Sequence, residues 1–233
     1  MPTVTLLAHT PNPEKLVAGA AKLCYSSSDI NDLLGGLTEE KTASFLRMLM
    51  ELGHQSPLEH AYFTFGIEGV SRALLAQVTR HRIASFSVQS QRYVELGSDF
   101  EHILPPAIAQ NEEARAIFER SIEQAGNAYD ELVEILSQGK TGAAKKQALE
   151  DARFALPNAC ATKIILTMNA RALRGFFAQR CCNRAQWEIR ELAGVMLELC
   201  KQASPLLFEG AGPACISGTC PEGKMSCGRY QLG

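Results

Sequence analysis

The sequence predicts one helix-rich α+β domain with a small, mainly antiparallel sheet. Three observations carry this. Over residues 111–138, Ala114, Ile117, Phe118, Ile122, Ala125, Tyr129, Leu132, Val133 and Leu136 recur at helical spacing. Over Ala61–Glu68 the period changes to two, with Phe63, Phe65 and Ile67 alternating against Tyr62, Thr64 and Glu68 as in a half-buried strand. The chain has 233 residues, 46% of them hydrophobic, enough to bury one real core.

The elements follow in order. Thr3–Leu7 reads as a first strand, and helical periodicity over 13–23 follows Pro11 and Pro13. Thr38 is placed as an N-cap, with Glu39 and Glu40 in the first turn and Phe45, Leu46 and Leu49 on one face; Gly53 stops that helix. After the Ala61–Glu68 strand, Ser71 caps a helix through Leu74, Leu75 and Val78 into Arg80-His81-Arg82. Residues 84–110 read as polar and irregular, up to Pro105-Pro106. A helix over 143–154 ends before Pro157. Ala161–Met168, rich in Thr and Ile, is a strand. Asn169 opens a helical region reaching Ala203, with a break near Cys182-Asn183. Residues 1–208 form the expected domain and 209–233 a Gly- and Cys-rich tail.

Composition narrows the function. A net charge of −2 gives no global field for nucleic acid, so anion binding must come from local clusters. The longest apolar runs, such as Ile164-Ile165-Leu166, are far short of a membrane span. The opening MPTVTLLAHT lacks the basic-then-apolar pattern of a signal peptide, so the expected place is the cytoplasm, where thiols stay reduced. The eight cysteines are then not a disulfide framework.

Two clusters concentrate the chemistry. Arg80-His81-Arg82 and Ser90-Gln91-Arg92 lie within thirteen residues at a helix end and the loop after it. A basic helix end is the plain reading, since cations there suit the helix dipole. An oxyanion site is the sharper one: guanidinium forks bind phosphate and stack on planar rings, and Ser and Gln can read carbonyl and imide edges. The second cluster is Asn169, Arg171, Arg174 and Arg180. Leu173, Phe176 and Phe177 mark that helix as buried, and arginine on a buried helix needs an anionic partner. Few acids lie nearby in sequence. His54 and His60 flank Glu59, but Pro57 breaks any helical pair, which favours a turn feeding a strand over a metal site. Cys160, Cys181, Cys182 and Cys200 read as core thiols. No GxSxG, Walker A or GxGxxG motif is present.

These clusters resemble a known family. RHRIASFSVQSQRY contains RHR-x7-S, Arg80-His81-Arg82 through Ser90, and looks like the signature of flavin-dependent thymidylate synthases. GHQSPLEHAYFTF precedes it, ARFALP follows, and NARALRGFFAQRCCNRAQWEIR closes the set in the family's order. The resemblance spans residues 20–205. It implies the family's fold and a homotetramer with active sites shared between subunits. It implies FAD held without a Rossmann domain, and conversion of dUMP to dTMP with methylenetetrahydrofolate and NADPH as co-substrates. By similarity Ser56, Arg80, His81, Arg82, Asn169 and Arg171 contact FAD. Gln77, Arg80, Ser90, Gln91, Arg92, Arg153 and Arg180 contact dUMP, and Arg180 is the catalytic residue, holding the pyrimidine with N3 ionised. Ser90 has no adjacent base and is read as a hydrogen-bonding residue, not a nucleophile.

Two positions depart from the family pattern. Val88 stands where a polar residue is frequent, and Gly175 where Asn or His is common beside the flavin. In the tail, Cys215, Cys220 and Cys227 form C-x4-C-x6-C. Their type suits zinc, but the tight CxxC pair is missing, which favours a tail that packs along the body with free thiols. The competing functions are a nucleotide- or nucleic-acid-binding module without catalysis, and a flavoprotein oxidoreductase without methyl transfer.

Overall fold

The computed structural model describes residues 2–229. The first elements are strand β1 (Thr3–His9) and helices α1 (Pro13–Leu23), α2 (Ile30–Gly35) and α3 (Glu39–Glu51). A 3-10 turn over Ser56–His60 leads to β2 (Tyr62–Ser71), α4 (Arg72–Val78), β3 (Ser85–Val88) and α5 (Pro106–Ala109). Then come α6 (Glu112–Ser137), α7 (Ala143–Ala152), β4 (Ala161–Asn169), α8 (Ala170–Arg180) and α9 (Trp187–Ala203).

Local chemistry sets most of these bounds. Pro13 opens α1, where its missing N–H is not needed. Thr38 Oγ1 accepts the Lys41 N–H at 3.3 Å, while Glu39 and Glu40 meet the positive end of α3. Gly53 follows that helix at φ 72°, a conformation costly for other residues. Asn111 caps α6 through the Ala114 N–H, and Ser71 Oγ caps α4 through the Leu74 N–H at 3.0 Å.

The four strands pair in the order β1-β2-β4-β3. β2 and β4 run antiparallel. The Ala170 N–H reaches the Ala61 carbonyl at 2.8 Å, and the hydroxyls of Thr64 and Thr167 meet at 3.0 Å, so rising numbers on one strand meet falling numbers on the other.

The chain divides into two compact units. The first comprises residues up to Ile67, Val78–Phe86 and those from Ile165 on. Its core includes Leu46, Phe63, Phe65, Leu173, Phe176, Phe177, Met196 and Phe208, all buried. Phe208 stands edge-on to Phe63, with centroids 5.2 Å apart, so the segment just after α9 belongs to this core. The second comprises Glu68–Gln77 and Ser87–Ile164. There α6 packs on α7 through Tyr129, Val133, Leu149 and Ala152. Gly126 lets α6 approach the chain at Ser98: a Cβ there would lie 2.4 Å from the Ser98 carbonyl oxygen. Among the described residues no helix is long and apolar enough to cross a membrane.

Several bounds differ from expectation. β2 runs three residues further, to Ser71, and the helix after it stops at Val78. Arg80, His81 and Arg82 therefore lie in a loop, closed by the His81 N–H on the Val78 carbonyl at 3.1 Å. β3 and α5 fall in the stretch that reads as irregular, and α2 in one where the sequence assigns no element.

Candidate active site

All six residues assigned to flavin lie in the first unit, on α8 or on segments fastened to it. Asn169 is 4% exposed, and its Oδ1 caps α8 by accepting the Ala172 N–H at 2.8 Å. Arg171 lies in the first turn, half-exposed, and pairs with Glu59 of the Ser56–His60 turn. That ion pair ties the turn that begins at Ser56 to the start of α8. At the other end, Arg180 Nε donates to His81 Nε2 at 3.1 Å. The His81 ring stands edge-on to Phe176, with centroids 4.9 Å apart and planes at 82°. Burial, and after it the charge of Arg180, hold the His81 pKa below its ordinary value. The ring is thus a neutral imidazole accepting at Nε2, with its proton on Nδ1. Arg80 and Arg82 flank it, both exposed.

Arg174 faces elsewhere. It donates to the Leu207 carbonyl at 2.8 Å and the Glu209 carbonyl at 3.0 Å, and burial lowers its pKa. The scarcity of acids near this helix in sequence is met by Glu59 from afar, by tail carbonyls and by an imidazole.

In the second unit, guanidiniums gather around the last turn of α7. Arg92 Nη2 lies 2.8 Å from Glu150 Oε2, and Arg153 Nε donates to the Glu150 carbonyl at 3.1 Å. Arg72, the first residue of α4, donates to the Gln89 carbonyl at 2.7 Å. Burial pulls the Arg72 pKa down, and the nearby charge of Arg153 adds to this. Arg72 Nε and Arg92 Nε are both buried and have no hydrogen-bond partner. A buried donor without an acceptor is costly, and both belong to this one group of guanidiniums. Ser90 Oγ accepts the Arg92 N–H at 3.1 Å, so the hydroxyl shapes the turn. Gln91 is half-buried in that turn, and Gln77 lies in the last turn of α4 with Nε2 3.5 Å from the Ala73 carbonyl.

Of the residues assigned to dUMP, Gln77, Ser90, Gln91, Arg92 and Arg153 thus belong to the second unit, and Arg80 and Arg180 to the first. Sequence reasoning missed Arg72 and Glu150. Arg72 directly follows a helix cap, where a charged residue attracts no notice, and Glu150 lies in a run of ordinary surface charges.

The cysteines divide as well. Burial raises the thiols of Cys160 and Cys181 to about 11 and raises Cys200 further, as expected of unreactive core thiols. Cys182, expected in the core, is only half-buried, because it follows the end of α8 and faces the tail. His54 and His60 flank a turn that feeds β2, as read from Pro57.

Residues 5–206 match the family model described as thymidylate synthase complementing protein. A flavin-dependent thymidylate synthase of Clostridium tetani is 54% identical over 232 residues, covering 97% of this chain and 93% of its own length. One from Nitratidesulfovibrio vulgaris is 53% identical over 239 residues, covering 99% and 96%. Among solved structures, the UMP/dUMP methylase PolB from Streptomyces cacaoi, bound with 5-Br dUMP, superposes with a TM-score of 0.73 at 24% identity. That match covers 90% of this chain and 93% of PolB, and it establishes the shared fold. With the four sequence blocks in order and relatives above 50% identity along nearly the whole chain, this protein belongs to the flavin-dependent thymidylate synthase family.

Proposed function

We propose that the chain methylates dUMP reductively to dTMP, with methylenetetrahydrofolate as one-carbon donor and FAD, reduced by NADPH, as reductant. The observation that carries this reading is the arginine cluster of Arg72, Arg92 and Arg153, with its two buried, unpaired Nε–H donors. A nucleotide phosphate dianion is the acceptor such a cluster needs.

The donor set of the first unit suits FAD. Arg80 and Arg82 are exposed, and Arg171 is half-exposed at the N-terminus of an eleven-residue helix, where backbone and side-chain charge both favour a pyrophosphate. Gly175 leaves open space on the same helix: a Cβ there meets nothing within 4 Å. Ser56, Arg80, His81, Arg82, Asn169 and Arg171 would hold the cofactor, Asn169 by keeping the helix start in place. Bound FAD supplies the reducing electrons.

Arg92, Arg153 and Arg72 hold the phosphate. Gln77, Ser90 and Gln91 read the sugar and pyrimidine edges. Making C5 of uracil nucleophilic moves negative charge onto N3, O2 and O4, and a fixed guanidinium stabilises that charge as it develops. Arg180 has this role, and its bond to neutral His81 fixes one edge of its fork. Arg80 assists at the same ring. The proposal extends to a cytoplasmic homotetramer that completes its sites between subunits.

The test is a titration of FAD-loaded protein with dUMP, followed in the visible flavin band. A saturable change is expected. Protein that holds no flavin, or a flavin band indifferent to dUMP, contradicts the reading.

A further inference from the structure

The tail after α9 is fastened to the body as far as Cys215. Leu207, Phe208 and Ala211 are buried, Arg47 pairs with Glu209 at 3.1 Å, and Arg174 holds two carbonyls. Beyond that, residues 219–229 are half-buried or exposed and hold two glycines, a proline and few apolar side chains. Burial alone gives such a segment little reason to stay ordered. Yet polar contacts set it against the residues that follow α8. Arg184 Nε lies 2.9 Å from Glu222 Oε2, Arg229 Nη1 donates to Asn183 Oδ1 at 3.3 Å, and Asn183 Nδ2 to Cys227 Sγ at 3.5 Å.

These contacts enclose a small cavity whose wall includes Cys181, Cys182, Cys215, Cys220 and Cys227. The space admits about one water-sized sphere, roughly 10 Å³, which suits an ion and excludes an organic ligand. Cys181 is the C-cap of α8, and burial raises its thiol to about 11 with the other core thiols. The remaining four cysteines of the lining are three from the tail and one just after α8.

We infer that Cys182, Cys215, Cys220 and Cys227 form a tetrathiolate site for a soft divalent cation of the zinc type, which clamps the tail to the end of α8. Four thiolates are the donor set that selects zinc over harder cations. Binding replaces four S–H bonds with four metal–sulfur bonds and releases four protons to solvent. The centre then carries two negative charges; Arg184 and Arg229 line the same cavity and, with Glu222 paired to Arg184, offset one of them. The Asn183 amide bond to Cys227 is the kind of outer contact that orients a metal ligand. Among the described residues no group of three or more His, Cys, Asp or Glu side chains already stands close enough to hold a metal ion, so binding must draw these four thiols together. Cys182 lies two residues beyond Arg180, so the clamp also steadies the end of α8 that carries this arginine.

The test uses the full chain, purified anaerobically without chelator from zinc-supplemented culture. Metal analysis should find about one zinc per chain, with the four thiols shielded from a thiol reagent until a mercurial displaces the metal. The double variant Cys220→Ser/Cys227→Ser should lose the zinc and become sensitive to protease in the tail. Replacing zinc by cobalt in the unaltered protein should give the visible bands of a tetrahedral thiolate site, which needs no variant to fold. Less than a tenth of an equivalent of zinc, a double variant that keeps its metal, or a disulfide among the four cysteines overturns the inference.

Discussion

Arg180, the last residue of α8, donates from Nε to Nε2 of His81 across 3.1 Å, so the guanidinium is aimed by a ring that is itself wedged against Phe176. Lysine keeps the charge but loses both the planar fork and this Nε bond. Arg180→Lys should lower turnover about a hundredfold, the effect of losing a preorganised donor set to a developing anion. Saturating kinetics check this, and near-normal turnover would remove Arg180 from its proposed role.

His81 should titrate below its ordinary 6.5, because burial first and Arg180 second disfavour its charged form. The unfolded chain then binds a proton that the folded chain does not. Stability should therefore rise with pH between the lowered folded value and about 6.5, and be flat above it. Nuclear magnetic resonance of the ring proton measures the pKa directly. Arg180→Gln should raise it, but not to 6.5, since the larger cause remains. A wild-type value at or above 6.5 contradicts the assignment.

Arg72→Gln removes a half-buried guanidinium whose buried Nε–H has no acceptor among the described residues. If a phosphate supplies the acceptor, KM for dUMP should rise roughly tenfold to a hundredfold, the scale of one charge-assisted hydrogen bond. Turnover at saturation should change far less. An unchanged KM would assign Arg72 to holding the Gln89 carbonyl alone.

Gly175 sits inside α8, exposed, with nothing within 4 Å of a built Cβ. Gly175→Ala should stabilise the ligand-free protein by about 0.5–1 kcal/mol, the backbone entropy that glycine loses in a helix. Urea unfolding midpoints check it. Destabilisation would mean that the open face is filled by something other than solvent.

Most of the fold was legible because it rests on local signals. Thr38 and Ser71 are read as caps from their side chains alone, and the apolar period over α6 is long. β3 was not legible. Its four residues hold a sheet edge through pairing with β4, a partner more than seventy residues away in sequence. α2 spans six residues, too few to display a helical period. The arginines of the motif blocks stood out by type and spacing, but their partners did not. Glu59 lies 112 positions from Arg171, and His81 lies 99 from Arg180. Arg72 carried no motif at all, and its unpaired Nε became visible only once the chain was folded around it.

The central claim is methyl transfer to dUMP. The most direct measurement is anaerobic incubation of the purified protein with dUMP, methylenetetrahydrofolate, FAD and NADPH, with dTMP quantified by chromatography. The account predicts dTMP formed in step with NADPH consumed. NADPH oxidation with no dTMP, from protein that is folded and loaded with flavin, would contradict it.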